Sequence, residues 1–184
     1  MKRFAVLMLT LGLAVAAGFL VYLGLTNTPL FAGISILFYR GVLLCMASAI
    51  LLAAALALAG RWKPLALETV VAAAALSFAF NLSFLVIFPV TLDRSISVFL
   101  LAEIEAHDGL DTPALERLFV DRYVRDMAQI DRRVAEQAQS GNITVQNGHI
   151  RLTASGRRFL ALSRHIGSAF ATDPRFVHPE APRR

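Results

Sequence analysis

The sequence predicts a mostly α-helical protein in which three transmembrane helices precede a small α+β domain. The 184-residue chain is 57% hydrophobic and only 17% charged, whereas soluble proteins carry charge on about a quarter of their residues. The few charges before Asp93 separate long apolar stretches, and after Asp93 the pattern becomes amphipathic. We therefore divide the chain into a membrane bundle (residues 1–92), a folded domain (93–172) and a flexible tail (173–184).

Three apolar stretches are long enough to cross a bilayer. A helix needs about 20 apolar residues to span the ~30 Å hydrocarbon core. The stretches are residues 4–25, residues 41–60 with an upstream extension over 30–39, and residues 65–90. Residues 26–29 and 61–64 link them and contain prolines, which predicts tight connections between antiparallel helices. We expect Pro89 to end the third helix.

The first stretch has two interpretations. Lys2 and Arg3 precede an apolar run that passes a small-residue site at residues 14–16, as in a cleaved signal peptide. The run continues without interruption to Leu25, which is longer than the apolar region of a typical signal peptide. We therefore favour an uncleaved membrane anchor.

The positions of the cations predict the orientation of the spans. Lys2 and Arg3 precede the first helix, while Arg61 and Lys63 flank Trp62 between the second and the third. Loops rich in Lys and Arg stay in the cytoplasm, and tryptophan is common at the interface. We expect a cytoplasmic N-terminus in a multi-pass protein of a bacterial-type inner (plasma) membrane. Three crossings then place the C-terminal domain on the periplasmic side.

Polar residues within the spans are candidates for function, because they are costly in lipid. Asn81 follows Ser77 by one turn near the middle of the third span, and we expect Asn81 to hydrogen-bond another helix, in this bundle or in a partner. This interpretation is favoured over a transport path, which would need more polar groups. Glu68 is expected near the cytoplasmic interface within reach of Lys63, and Arg40 at the outer interface.

Beyond residue 93 the apolar positions have helical spacing in three successive segments. Asp93 is a candidate N-cap for the first segment, and Thr112, followed by Pro113, for the second. The expected inward faces are Ile96, Phe99, Leu100 and Ile104, then Leu115, Leu118, Phe119 and Tyr123, then Met127, Ile130, Val134 and Ala138.

A hairpin and a last helix complete the domain. Apolar residues alternate with polar ones on both sides of Asn147-Gly148, a pair that favours a tight β-turn because both residues accept positive φ. Thr153 is then placed to cap a helix. We expect the apolar face of this helix to point into the domain; its residues are Phe159, Leu162, Ile166 and Phe170.

The order of three helices, hairpin and helix resembles winged-helix domains, most clearly over residues 130–160. The resemblance is carried by residues 133–137, by Ser140-Gly141-Asn142-Ile143, by Asn147-Gly148 as the wing, and by residues 150–160 leading into the last helix. Winged helices commonly place their third helix in the major groove of DNA. The resemblance implies that this helix would present Gln129, Arg132, Arg133 and Gln137, with Arg151 on the wing.

Charge argues against a nucleic-acid partner. From Asp93 onward the chain has 13 arginines and 12 acidic residues, whereas most affinity for DNA comes from neutralising phosphates. We expect an accessory or scaffolding protein whose winged-helix-like domain docks a membrane-protein partner in a cell-envelope assembly. A membrane-tethered DNA-binding regulator is the alternative. The candidate partner-binding residues are Asn81, Arg94, Arg132, Arg133 and Arg151.

We do not expect an enzyme. The four histidines lack the spacing of metal ligands, and the sequence has no glycine-rich phosphate loop. Cys45 is the only cysteine, so no intrachain disulfide can form. No catalytic residue, metal site or cofactor is therefore predicted.

Overall fold

The computed structural model describes residues 2–60, 65–107, 109–170 and 172–180, apart from the side chains of Lys2 and Arg3. The chain divides into two compact units, with the boundary after Val98. The link at residues 61–64 lies outside the described residues, as do the side chains of Lys2 and Arg3. The cations from which we predict the orientation therefore lie outside the described part of the chain.

The first unit contains three long apolar helices, which confirms the prediction of a multi-pass membrane protein. They are α1 (Lys2–Thr26), α2 (Leu37–Ala59) and α3 (Leu67–Leu85). The stretches that are apolar enough to cross a membrane have 23, 23 and 27 residues, because the third continues to Asp93. Each therefore exceeds the length of about 20 residues that a bilayer requires.

Pro89 does not end the third span, contrary to our expectation. The chain passes through a π-helical turn, Val86–Val90, and continues as the short helix α4, Thr91–Asp93. Proline lacks the N–H that a regular helix would use, and a wider turn accommodates the loss. The Thr91 hydroxyl donates to the Val86 carbonyl at 2.8 Å, which satisfies one acceptor of this turn.

The first link is longer than predicted. Residues 27–36 are not helical, and α2 begins only at Leu37, so most of the expected upstream extension of the second span belongs to the loop. Phe31 has a φ of 55°, in the left-handed region that a helix cannot use. Ten residues, instead of four, thus connect α1 with α2.

The three helices of the first unit pack against one another around two small apolar clusters. One consists of Tyr22, Leu44, Cys45 and Leu85, and the other of Ala14, Leu52 and Ala73. Many large apolar side chains on the outside of the helices are exposed. An apolar exterior is the pattern expected where the surrounding solvent is lipid.

The helical segments after α4 begin at N-caps that differ from our predictions, and the boundary between the two units falls within the first of these segments. The segments are α5 (Ile96–Ala106), α6 (Thr112–Leu118), a π-helical stretch (Phe119–Asp126) and α7 (Gln129–Gln139). Ser95 accepts from the Val98 N–H at 3.1 Å and caps α5, because Asp93 is still helical. Asp111 accepts from the Ala114 N–H at 2.8 Å and caps α6 in place of Thr112.

These segments are joined by an aromatic cluster and a partly buried ion pair. Phe99 contacts Phe119 and Tyr123, with 5.0 Å between the ring centroids of Phe99 and Tyr123. The Arg122 guanidinium donates to the Glu103 carboxylate at 2.7 Å. Only 6% of the Glu103 side chain is exposed, whereas the Arg122 side chain is 51% exposed.

The hairpin and its turn agree with the prediction from the sequence. Strand β1 (Ile143–Gln146) pairs antiparallel with β2 (His149–Leu152). Asn147 and Gly148 have φ values of 50° and 76°, as a two-residue turn of this kind requires. Thr153 accepts from the Gly156 N–H at 3.0 Å and caps α8 (Ala154–Ala169), as predicted.

The chain beyond α8 forms a short 3₁₀ helix, Pro174–Phe176. The Arg164 guanidinium of α8 donates to the Val177 carbonyl at 3.2 Å, so this segment lies against the helix. Asp173 hydrogen-bonds Arg175 and raises the pKa of that guanidinium above its usual value. Within residues 172–180, then, the predicted flexible tail contains regular structure.

Candidate functional site

Asn81 joins the three long helices of the first unit. Its Nδ2 group donates to Ser48 Oγ of α2 at 3.0 Å and to the Gly18 carbonyl of α1 at 3.4 Å. Ser48 Oγ in turn donates to the Cys45 carbonyl at 2.9 Å. Of the two alternatives for Asn81, a bond within the bundle or one to a partner, the structure shows the first.

This polar layer is closely packed. Ser48, Ser77 and Asn81 are all 0% exposed. A Cβ atom at Gly18 would collide with the Ser77 hydroxyl, so α1 and α3 approach closely only because position 18 is glycine. Ser77 Oγ and Asn81 Oδ1 have no hydrogen-bond partner within the described part of the bundle. The arrangement suits helix association.

Ser48 was missed by sequence reasoning. It is a single small hydroxyl in a long apolar span, and such residues often return their hydrogen bond to their own helix. The available signal was its depth in the membrane. Ser48 lies near the middle of α2, and Asn81 lies near the middle of the third span, Leu67–Asp93. Two polar residues at matching depths in neighbouring spans favour an interhelical bond.

The two ionisable residues predicted at the membrane interfaces differ in their surroundings. Arg40 donates from Nη2 to the Thr28 carbonyl at 2.8 Å and from Nε to the Leu30 carbonyl at 3.2 Å, so it turns back over the first link. Glu68 is exposed in the first turn of α3. Its expected partner, Lys63, lies outside the described residues.

The five candidate partner-binding residues are divided between the two units. Asn81 is buried in the bundle, whereas Arg94 is exposed directly after α4. Arg151 is exposed on β2, opposite Thr144. The structure brings only the remaining two, on α7, together.

Arg132 and Arg133 share one carboxylate. Arg133 Nη1 lies 2.7 Å from Glu136 Oε2, and Arg132 Nε lies 3.6 Å from Glu136 Oε1. Only 11% of the Glu136 side chain is exposed, so the contact is shielded from water. The glutamate therefore offsets part of the positive charge that α7 would present to a nucleic acid.

The apolar face of α8 points outward, which overturns our prediction that it faces the interior. Phe159, Leu162, Ile166 and Phe170 are 57%, 54%, 48% and 77% exposed. Spacings of three and four residues place all four on one side of the helix. We refer to these four residues as the α8 apolar stripe.

The cap of α8 explains why the stripe turns outward. The Thr153 hydroxyl donates to the Gly141 carbonyl at 2.7 Å, and the Thr153 N–H donates to the Asn142 carbonyl at 3.0 Å. A Cβ atom at Gly156 would collide with that same Asn142 carbonyl, so the helix packs its glycine side there. Because the cap fixes the rotation of the first turn, the stripe that follows must face solvent.

A second glycine continues the packed side of α8. A Cβ atom at Gly167 would lie 2.8 Å from Thr172 Oγ1, in the segment that returns along the helix. Gly156 and Gly167 are eleven residues apart, close to three full turns, and therefore lie on one side. The packed side of α8 thus carries the buried Gly156 and the partly buried Gly167, while the large side chains of the α8 apolar stripe are exposed.

Neither unit shows a metal centre in its described part. No group of three or more His, Cys, Asp or Glu side chains is arranged to hold a metal ion among the residues that the structure describes. The one cysteine, Cys45, is buried between the long helices. Comparison with known protein families, with curated proteins and with solved structures finds no match to this chain.

Proposed function

We propose that this chain is an accessory or scaffolding protein of a cell-envelope assembly. Its membrane bundle anchors it, and its C-terminal unit, which we infer to be winged-helix-like, docks a membrane-protein partner. The inner membrane, with a cytoplasmic N-terminus and a periplasmic C-terminal unit, is the location that the cations of the sequence favour.

The observation that carries this proposal is the α8 apolar stripe. Its two phenylalanines and two aliphatic residues are each about half exposed or more. Contiguous exposed apolar surface on a folded unit marks an interaction site. Aromatic residues are also enriched among the side chains that dominate binding energy at protein interfaces.

Electrostatics favours a protein over a nucleic acid as the partner. Glu136 pairs with both Arg132 and Arg133, the two cations that a recognition helix would need free. The sequence from Phe99 to the end carries 12 arginines and 11 acidic residues, a net charge of +1. Such a unit neutralises few phosphates, so the DNA-binding alternative lacks its main source of affinity.

Charge substitution on opposite sides of α8 tests the proposal. The full chain is extracted from its native membranes in mild detergent, and the mass of the particle is measured by light scattering. We expect wild type to form a complex larger than one chain and Leu162→Glu to release the lone chain. The matched variant Ser168→Glu, on the exposed opposite side, should retain the complex.

Four outcomes would contradict the proposal. A wild-type particle that contains only one chain would show that no partner is bound. If the complex survives Leu162→Glu, the α8 apolar stripe is not part of the interface. The same conclusion holds if both variants disrupt the complex equally. A particle of two identical chains would assign the stripe to self-association instead.

A further inference from the structure

A cleft lies at one end of the membrane bundle, among the end of α1, the start of α2 and the π-helical turn. Its volume is about 230 Å³, and it is partly open to the surroundings. The walls are mainly apolar and include Leu37, Leu44, Phe84 and Leu85. Arg40 is the one cation among the described residues that line the cleft.

Arg40 is incompletely paired. Two of its five N–H groups are occupied, by the carbonyls of Thr28 and Leu30. Within the described part of the bundle, the structure records no carboxylate in contact with Arg40. Those two neutral carbonyls orient the guanidinium but do not neutralise it. A cation in an apolar environment is stabilised by an anion, and three N–H groups remain to bind one.

The size and composition of the cleft determine what kind of anion fits. About 230 Å³ is larger than an engineered cavity of ~150 Å³ that holds benzene, and smaller than most sites for complete ligands of drug size. The cleft can therefore enclose part of one hydrocarbon chain. A molecule with an anionic head and a long chain that leaves through the opening satisfies both the charge and the volume.

We propose that this cleft binds an anionic phospholipid of the bilayer, with its phosphate on Arg40 and part of one acyl chain between Leu37, Leu44 and Phe84. Phospholipid surrounds a membrane bundle at high concentration, and a guanidinium is suited to hold phosphate through two parallel hydrogen bonds. The site is independent of partner docking by the C-terminal unit.

Spin-labelled lipids directly measure the preference of the protein for anionic phospholipid. The full chain is reconstituted in phosphatidylcholine vesicles, and electron spin resonance gives the immobilised fraction of labelled phosphatidylglycerol and of labelled phosphatidylcholine. We expect a preference of about fivefold for phosphatidylglycerol, the factor that corresponds to ~1 kcal/mol per cation near an anionic surface. Arg40→Gln should lower that preference several-fold, and Arg40→Lys, which keeps the charge but not the two parallel hydrogen bonds, should retain only part of it.

Two further variants separate binding from a structural role. Arg94→Gln removes an exposed cation at the same end of the bundle and should leave the preference unchanged. Leu37→Trp fills the cleft from a residue that is 37% exposed and should abolish the preference while Arg40 stays in place.

Several results would overturn the proposal. Equal immobilisation of the two labelled lipids by wild type would overturn the proposal by itself, whatever the variants show. Preference for labelled stearate over phosphatidylglycerol would assign the cleft to a fatty acid. Displacement of phosphatidylglycerol by millimolar inorganic phosphate would assign Arg40 to a free anion.

Discussion

Asn81 of the third long helix donates a hydrogen bond to Ser48 of the second, and neither side chain is exposed. The same amide group reaches the Gly18 carbonyl of the first helix, so one side chain contacts all three spans. In lipid, where apolar surfaces gain little by meeting each other, such bonds and close packing hold helices together.

The coupling between Asn81 and Ser48 is measurable by a double-mutant cycle. We expect Asn81→Ala and Ser48→Ala to lower the free energy of unfolding non-additively, with a coupling of about 0.6 kcal/mol, the average for such bonds in membranes. Unfolding in mixed micelles with increasing SDS gives the change in the free energy of unfolding for each single variant and for the double variant. Ser83→Ala, on the exposed side of α3, is the control and should have no effect. Strict additivity of the two substitutions would show that the bond contributes nothing.

Gly18 controls the approach of α1 to α3. Gly18→Ala places a methyl group against the Ser77 hydroxyl, and we expect a loss of roughly 1–3 kcal/mol in the free energy of unfolding, as for other overpacked interiors. The same SDS titration measures it. Gly12→Ala is the matched variant, because its methyl group meets no atom within 4 Å. Equal effects at positions 12 and 18 would contradict this packing.

The Thr153 cap should stabilise the first turn of α8. Thr153→Ala removes the acceptor for the Gly156 N–H, and a lost cap costs about 1 kcal/mol. Hydrogen exchange of the full chain should therefore show about fivefold faster exchange at the start of α8, the factor equivalent to that energy. Ser155→Ala, at an exposed neighbour, should exchange at the wild-type rate. Unchanged protection in Thr153→Ala would rule out the cap as the element that fixes α8.

A reporter that is active only outside the cytoplasm tests the predicted orientation. Fused after Arg184, it should be active, because three crossings from a cytoplasmic N-terminus end outside. The same reporter fused within the first link, for example after Gly33, should also be active, and one fused after Gly60 should be inactive. The reverse pattern would place the C-terminal unit in the cytoplasm and revive the DNA-binding alternative.

Features that depend on neighbours in sequence were predictable. The three spans follow from unbroken apolar length, the hairpin from Asn147-Gly148, and the start of α8 from Thr153. In each case the deciding interaction connects residues a few positions apart. The N-cap residues were harder to predict, because Ser95 and Asp111 each lie within two positions of another residue that is able to cap a helix.

Features that depend on distant contacts were not predictable. The periodicity of α8 defines its apolar stripe, but the direction of that stripe is set by Thr153 and Gly156 against the Asn142 carbonyl. Likewise, nothing local to Ser48 indicates its bond with Asn81, 33 positions away. Pro89 resembled a helix end because the π-helical turn that accommodates it has no sequence signature.

Site-specific photo-crosslinking tests the central claim, that the α8 apolar stripe docks a protein partner, most directly. Benzoylphenylalanine is placed at Phe159 or Phe170 in the stripe, and at Ala161 or Ser168 on the exposed opposite side, in the full chain in its own membranes. We predict one crosslinked product, containing a second and different polypeptide, from both stripe positions and from neither control. Crosslinks to lipid alone, or equal crosslinking from both sides of the helix, would contradict the account.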